Sequence, residues 1–304
     1  MPLKLLLTIS LFFYPLQAIT SDDIKVVVTA AFVSEKGLDI YDGITDYIGK
    51  KLNRTVSIVS GTTYEESDML LENGIVQVGF ICGLPYTQKH RQGKFSLVAM
   101  PVMAIDNQAF EDTPDYADIP AKYYSYTIVH KDSPITSWQD LKGKHYVYND
   151  INSNSGYNMP RYKLLKLGAT NWESYFSKVS VSGSHEESIR MVANGRADAS
   201  SVDSLVLDYD RNLGDKSALN VKVIEVLFAG GAGIPPIVVN QSVSPELRQQ
   251  MEEVLVNMHK DPEGNKLLQK ALISHFVKPN DSNYDFIRDM EEAAAKAGFV
   301  DHIE

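Results

Sequence analysis

Between a strand-like run and a helix-like one lies Asn152-Ser153-Asn154-Ser155-Gly156-Tyr157-Asn158-Met159-Pro160-Arg161, the stretch of this chain most suited to holding a ligand. The hydroxyls of Ser153 and Ser155 and the backbone N–H groups of Asn154 to Tyr157 can all point one way. A helix N-terminus adds partial positive charge. Together they describe a neutral anion cradle, and Gly156 allows a ligand close to the backbone. The same residues can also serve as a plain helix cap, and spacing alone does not separate the two.

Two further segments share this placement. Gly183-Ser184-His185-Glu186 and Val202-Asp203-Ser204 each sit between a strand and a helix start. In open α/β sheets, ligands bind beyond the carboxyl ends of the strands, so the three loops can converge. His185 can donate to an anion. Asp203 can accept from a protonated oxygen or an amine. Ile81-Cys82-Gly83-Leu84-Pro85-Tyr86 ends another strand, with Cys82 facing a cleft and Tyr86 offering its hydroxyl. A lone cysteine is also a good small buried hydrophobe.

Other chemistries are not supported. There is no G-x-S-x-G elbow, no P-loop and no G-x-G-x-x-G after a strand, so neither an enzyme nor a cofactor is expected. Gly230-Gly231-Ala232-Gly233 precedes Ile234-Pro235-Pro236 rather than a helix and is expected to be a turn. One cysteine rules out an intramolecular disulfide and cysteine-built zinc sites. The seven histidines show no H-E-x-x-H spacing, and no metal is expected. A formal charge of -10 disfavours nucleic acid and anionic membrane surfaces. It does not exclude an anionic ligand, because the cradle uses hydroxyls and N–H groups rather than Lys or Arg.

The elements that must position these loops alternate. Ile24 to Val33 reads as a buried strand, Ile40 to Leu52 as a helix face, Thr55 to Val59 as a strand, Thr62 to Leu71 as a capped helix and Val76 to Ile81 as a strand. Such alternation predicts a parallel sheet with helices on both faces. A second cycle runs from Tyr123: strands at Tyr126–His130, His145–Tyr148, Val179–Val181 and Ala197–Val202, and helices at Ser137–Leu141, Tyr157–Leu167, His185–Asn194 and from Ser204. Val221–Leu227 and Pro236–Val239 are further strands, and the remainder reads as helical. The segments near 119–125 and 226–235 read as strand-rich crossovers forming a hinge. Ahead of all this, Met1 to Lys4, the apolar run Leu5–Leu16 and Ala18 have the layout of a cleaved signal peptide, residues 1–18, so the protein is expected to be exported.

Against this frame several markers group together: Tyr123-Tyr124-Ser125, Lys131-Asp132-Ser133-Pro134-Ile135, Asp140-Leu141-Lys142-Gly143-Lys144, the Asn152–Arg161 motif, Gly183-Ser184-His185, Val202-Asp203-Ser204 and Ile234-Pro235-Pro236-Ile237. From about Val26 to Phe299 the chain resembles periplasmic solute-binding proteins of the phosphate/phosphite/phosphonate ABC-transporter type. The resemblance implies a type II periplasmic binding protein fold, with two α/β lobes joined by two crossover strands and a ligand cleft between them. One lobe would be 19–122 with 230–304, the other 123–229. It further implies a small oxyanion or organophosphonate held by Ser153, Asn154, Ser155, Gly156 and Tyr157 with His185 and Asp203, and Tyr123 as the family aromatic at the crossover. Cys82, Gly83 and Tyr86 would face the ligand from the other lobe. Glu186 stands where some aminophosphonate binders place an acid. The implied partner is an ABC permease, the implied location the periplasm and the implied state a monomer. Cys82 departs from the tyrosine of some phosphonate binders and resembles an arsenite-sensing branch, where a soft thiolate is the ligand. That branch implies the alternative of a periplasmic sensor signalling to a membrane histidine kinase.

Overall fold

The structure is a computed structural model that describes residues 23–29, 38–59, 63–104 and 121–299. The expected signal peptide and the end of the first expected strand lie outside them. The chain begins with β1 (Asp23–Val28), α1 (Leu38–Leu52), β2 (Thr55–Val59), α2 (Tyr64–Glu72) and β3 (Val78–Phe80), as the alternation predicts. A capping box starts α2: the Thr63 hydroxyl accepts the Glu66 N–H at 3.1 Å, and the Glu66 carboxylate accepts the Thr63 N–H at 3.0 Å. Helix α3 (Gly83–Arg91) and β4 (Phe95–Met103) follow, beyond the elements read from sequence.

The middle of the chain contributes β5 (Lys122–His130), β6 (His145–Tyr148), α4 (Met159–Lys166), β7 (Lys178–Val181), α5 (His185–Ala193), β8 (Ala199–Asp203), α6 (Ser204–Asn212), α7 (Lys216–Leu219) and β9 (Val221–Gly233). Then come β10 (Ile237–Asn240), α8 (Pro245–Asn257), α9 (Pro262–Lys270), β11 (Ile273–Val277) and α10 (Asp285–Lys296). Two sheets result, ordered β11-β4-β10-β3-β1-β2 and β7-β6-β8-β5-β9. Strands β2, β1 and β3 are parallel, as are β7, β6 and β8.

Three expectations need correction. The sheets are mixed rather than parallel, because β10, β4 and β11 in one and β5 and β9 in the other run antiparallel to their neighbours. Strands that pass between sheets return the chain in the opposite sense, which places a reversed strand inside each sheet, β10 between β4 and β3 and β5 between β8 and β9. The glycine-rich stretch is not a turn: Ala232 and Gly233 pair with Tyr123 and Lys122, which holds β9 extended to its end. The tail is not wholly helical, since β11 pairs with β4.

Large aromatic side chains brace the second sheet. Tyr146 stacks on Phe176 at 4.6 Å and on Trp172 at 5.9 Å, and Tyr148 stacks on Trp172 at 5.3 Å. Offset stacks of this kind bury large area and fix β6 rigidly. The carboxyl end of β6 carries the cradle. Helix α10 and its N-cap Tyr284 join the two layers: the Asn158 amide donates to the Ile287 carbonyl at 3.3 Å, and the Tyr284 hydroxyl donates to the Ile234 carbonyl at 2.9 Å.

Candidate functional site

The cradle opens not as a regular α-helix but as one wider π-turn, Asn154–Asn158, which leads into α4. Such turns recur at functional sites. Ser153, Asn154, Ser155 and Asn158 are buried, and so are Asn149, His185 and Asp203. A cluster of buried polar side chains is costly unless its members bond one another, and here they do. Ser153 Oγ accepts the Gly156 N–H at 3.0 Å. Ser125 donates its hydroxyl to the Ser155 carbonyl at 2.6 Å. Asn154 donates its side-chain amide to the Tyr123 hydroxyl at 2.9 Å and its backbone N–H to Cys82 Sγ at 3.3 Å. Two of the cradle's N–H groups are thus engaged within the protein.

His185 has a defined tautomer. Its Nδ1 faces the backbone N–H of Asp203 at 3.2 Å and must accept from it. Burial holds the ring down to about 3, so it is neutral at pH 7 and carries its proton on Nε2. Nε2 lies 3.5 Å from Ser155 Oγ and 3.2 Å from the Asn149 amide. Two N–H groups cannot bond each other. The Asn149 carboxamide therefore presents its oxygen to His185, and that oxygen otherwise lacks a partner. The same amide reaches the Tyr64 hydroxyl, 3.2 Å away on the other lobe. Gly156 makes room for it: a Cβ there would sit 1.7 Å from the Asn149 carboxamide.

Asp203 caps α6 by accepting the Leu205 N–H at 2.8 Å, and its other oxygen faces Ser155 Oγ at 3.5 Å. Burial pushes its carboxyl well above the usual range, against the pull of Leu205 and Ser155. Serine, histidine and aspartate meet here without forming a catalytic triad. The carboxyl bonds serine rather than histidine, and the histidine nitrogen facing serine already carries a proton, so nothing removes the serine proton. Among the described residues no group of three His, Cys, Asp or Glu is placed to hold a metal ion. The arrangement can surround an oxyanion with N–H and O–H donors and meet a protonated oxygen with Asp203.

Three sequence-predicted residues are turned elsewhere. Tyr86 donates its hydroxyl to Asp281 at 2.6 Å and packs its ring on Tyr284 at 4.7 Å. A Cβ on Gly83 would meet Ile287 at 2.7 Å, so this glycine serves close packing of α3 on α10. The Tyr157 ring lies in the aromatic stack, 5.2 Å from Tyr148 and 5.7 Å from Trp172, so the cradle has only its backbone. Tyr86→Phe will accordingly lower stability by about 1 kcal/mol without weakening ligand binding; a melt and a titration on the same variant check both. Glu186 is buried in the first turn of α5. Cys82 is 1% exposed, and burial pushes its thiol up to about 12. It is therefore a neutral thiol taking an N–H, and the thiolate behind the sensing alternative is not what this environment favours.

Sequence reading missed Tyr64, Asn149 and Ser125. Asn149 directly follows a buried strand and precedes the cradle, a placement that marks it in retrospect. Tyr64 opens a capped helix beyond the end of β2. Ser125 lies inside a strand and gives no local signal.

A polar cluster between two α/β lobes, rich in hydrogen-bond donors and with no activated nucleophile among the described residues, is the arrangement of a two-lobed binding fold. The family described as ABC transporter, phosphonate, periplasmic substrate-binding protein matches residues 26–284, and this chain belongs to it. The phosphonates-binding periplasmic protein of Escherichia coli (strain K12) is 28% identical over 199 residues, 63% of this chain; the chain spans 57% of that relative's length. The binding protein component of an ABC phosphonate transporter from Pseudomonas aeruginosa superposes with a TM-score of 0.77 at 20% identity, covering 90% of this chain and 87% of its own. A Prochlorococcus marinus protein solved in complex with methylphosphonate gives 0.76 at 18% identity, covering 91% and 99%. These likenesses show the type II periplasmic binding protein fold.

Proposed function

We propose that this protein is exported after cleavage following Ala18, captures a small phosphonate in the periplasm as a monomer, and delivers it to an ABC permease. The observation that carries this reading is the convergence of the Ser153–Asn158 turn, His185 and Asp203 from one lobe with Tyr64 and Cys82 from the other. The lobes are 19–122 with 230–304 and 123–229. They close because Asn149 and Asn154 gain partners across the cleft, and β5 and β9, side by side, carry the hinge. The phosphonate oxygens take the Ser155 hydroxyl and the His185 Nε2–H, which turns to them from the Asn149 oxygen. The raised Asp203 carboxyl shares a proton with one of those oxygens, which removes the like-charge repulsion between them.

Calorimetry on the purified protein against phosphate, phosphite, methylphosphonate and 2-aminoethylphosphonate tests this. Heat is expected with a phosphonate, together with a raised melting temperature, since ligand at a hundred times Kd stabilises the fold by about 2.7 kcal/mol. No heat and no melting shift with any of the four overturns the reading.

A further inference from the structure

Asn158, the last residue of the π-turn, is fully buried, and its carboxamide is held at both ends. Its NH2 group donates to the Ile287 carbonyl of α10 at 3.3 Å and to Asn154 Oδ1 at 3.1 Å. Its own oxygen accepts from the Arg161 guanidinium at 2.8 Å. A backbone carbonyl only accepts and a guanidinium only donates. These two partners therefore fix which way the Asn158 carboxamide points. Asn154 must then present its oxygen to Asn158 and its NH2 to the Tyr123 hydroxyl, 2.9 Å away.

That orientation is passed on. Tyr123 accepts from Asn154, so its own proton is left to give, and burial pushes the hydroxyl well above its usual range and keeps that proton in place. The Tyr123 hydroxyl also meets the Ser155 side chain. Donating there, it occupies the Ser155 oxygen as an acceptor and leaves the serine proton to point outward. The remaining contacts of that hydroxyl, to His185 Nε2 and Asp203 Oδ2, are long at 3.5 Å each. A row of hydrogen bonds with a single direction thus runs from Asn158 to the oxyanion site. Aligned bonds of this kind strengthen one another, and the far end of the row is anchored on α10 at Ile287.

We propose that Asn158 is a positioning residue for ligand capture: held by α10, it sets the direction of the hydrogen bonds through Asn154 and Tyr123 and so makes Ser155 a donor to the bound oxyanion. This rests on the phosphonate reading above and adds to it the residue that orients the donor. Asn158→Asp reverses the row. It keeps the Arg161 contact but has no N–H to give, so Asn154 has to turn its NH2 toward the new carboxylate and its oxygen toward Tyr123. Tyr123 then spends its proton on Asn154, and Ser155 donates to Tyr123 instead of to the ligand.

Calorimetry of the full exported chain is run with methylphosphonate, or with 2-aminoethylphosphonate if that binds more tightly. Asn158→Asp is expected to bind about thirtyfold more weakly than the wild type, the loss of one charge-assisted hydrogen bond of roughly 2 kcal/mol at 1.4 kcal/mol per tenfold. In a Tyr123→Phe background the same substitution is expected to change affinity by less than about threefold, because the row is already broken there. A merely structural role for Asn158, or plain repulsion between the new carboxylate and the ligand, gives the same loss in both backgrounds. That result, or no loss with Tyr123 in place, overturns the inference and leaves the phosphonate reading standing. Should Asn158→Asp fold poorly on a melting curve, Asn154→Asp, which also takes the Tyr123 proton, goes through the same two backgrounds with the same expectations. Heat with neither compound in the wild type overturns both readings.

Discussion

Gly156→Ala will cut ligand affinity by about a hundredfold, roughly 2.7 kcal/mol, although it adds a single methyl group. That methyl would lie 1.7 Å from the Asn149 carboxamide, 2.7 Å from its Cγ and 3.2 Å from His185 Cε1. Overpacking costs about 1–3 kcal/mol when neighbours can shift. Asn149 is poorly able to, since it is fully buried and bonded to both Tyr64 and His185. Moving it breaks the contact between lobes and tilts the imidazole that offers its Nε2–H, so the strain falls on closure and on the anion site together. Gly168→Ala is the control. Its φ is +82°, with open space around a Cβ, so alanine there strains the backbone by about 1 kcal/mol and touches nothing near the cleft. Calorimetry and melting curves on both variants separate the effects. Gly156→Ala with affinity within threefold of the wild type would show that the ligand does not need this turn.

The contrast between these glycines also shows what local sequence can convey. Strand and helix periodicity located β2 and β6 to the residue, and Thr63 and Ser244 are caps whose bonds lie within three or four residues. The three loops at strand ends were legible for the same reason, because a strand-to-helix transition is a local event. The direction of a side chain is not local. Tyr86 is turned from the cleft by Asp281, 195 residues downstream, and Asn149 is held by Tyr64, 85 residues upstream. Strand β11, Ile273-Ser274-His275-Phe276-Val277, carries little apolar alternation of its own and is extended because β4 is there to pair with it. Such features follow from the assembled fold.

Acid will weaken this cluster through His185 over a defined interval. The ring is held down to about 3 when folded, against 6.5 as a free side chain. The unfolded chain therefore takes up a proton that the folded chain refuses. The stability due to the neutral ring is fully present above pH 6.5 and is lost as pH falls toward 3, at about 1.4 kcal/mol per unit. Asp203 has the opposite sign. Its carboxyl is raised well above 3.8, so its contribution is fully present below that pH and is lost as pH rises through the folded value. Between 3.8 and 6.5 the two slopes oppose each other in the ligand-free protein, which masks both in a simple melting profile. His185→Gln exposes them, because glutamine keeps an N–H donor and an acceptor for the Asp203 N–H but cannot titrate. Urea unfolding at pH 4, 5, 6 and 7 will show the difference between wild type and variant growing by roughly 3 kcal/mol from pH 4 to 6.5 and flattening above it. A difference independent of pH would place the ring in water with an ordinary titration. It could not then be the neutral Nε2–H donor that the proposed oxyanion capture uses, since below pH 6.5 a solvated imidazolium would bring a positive charge instead.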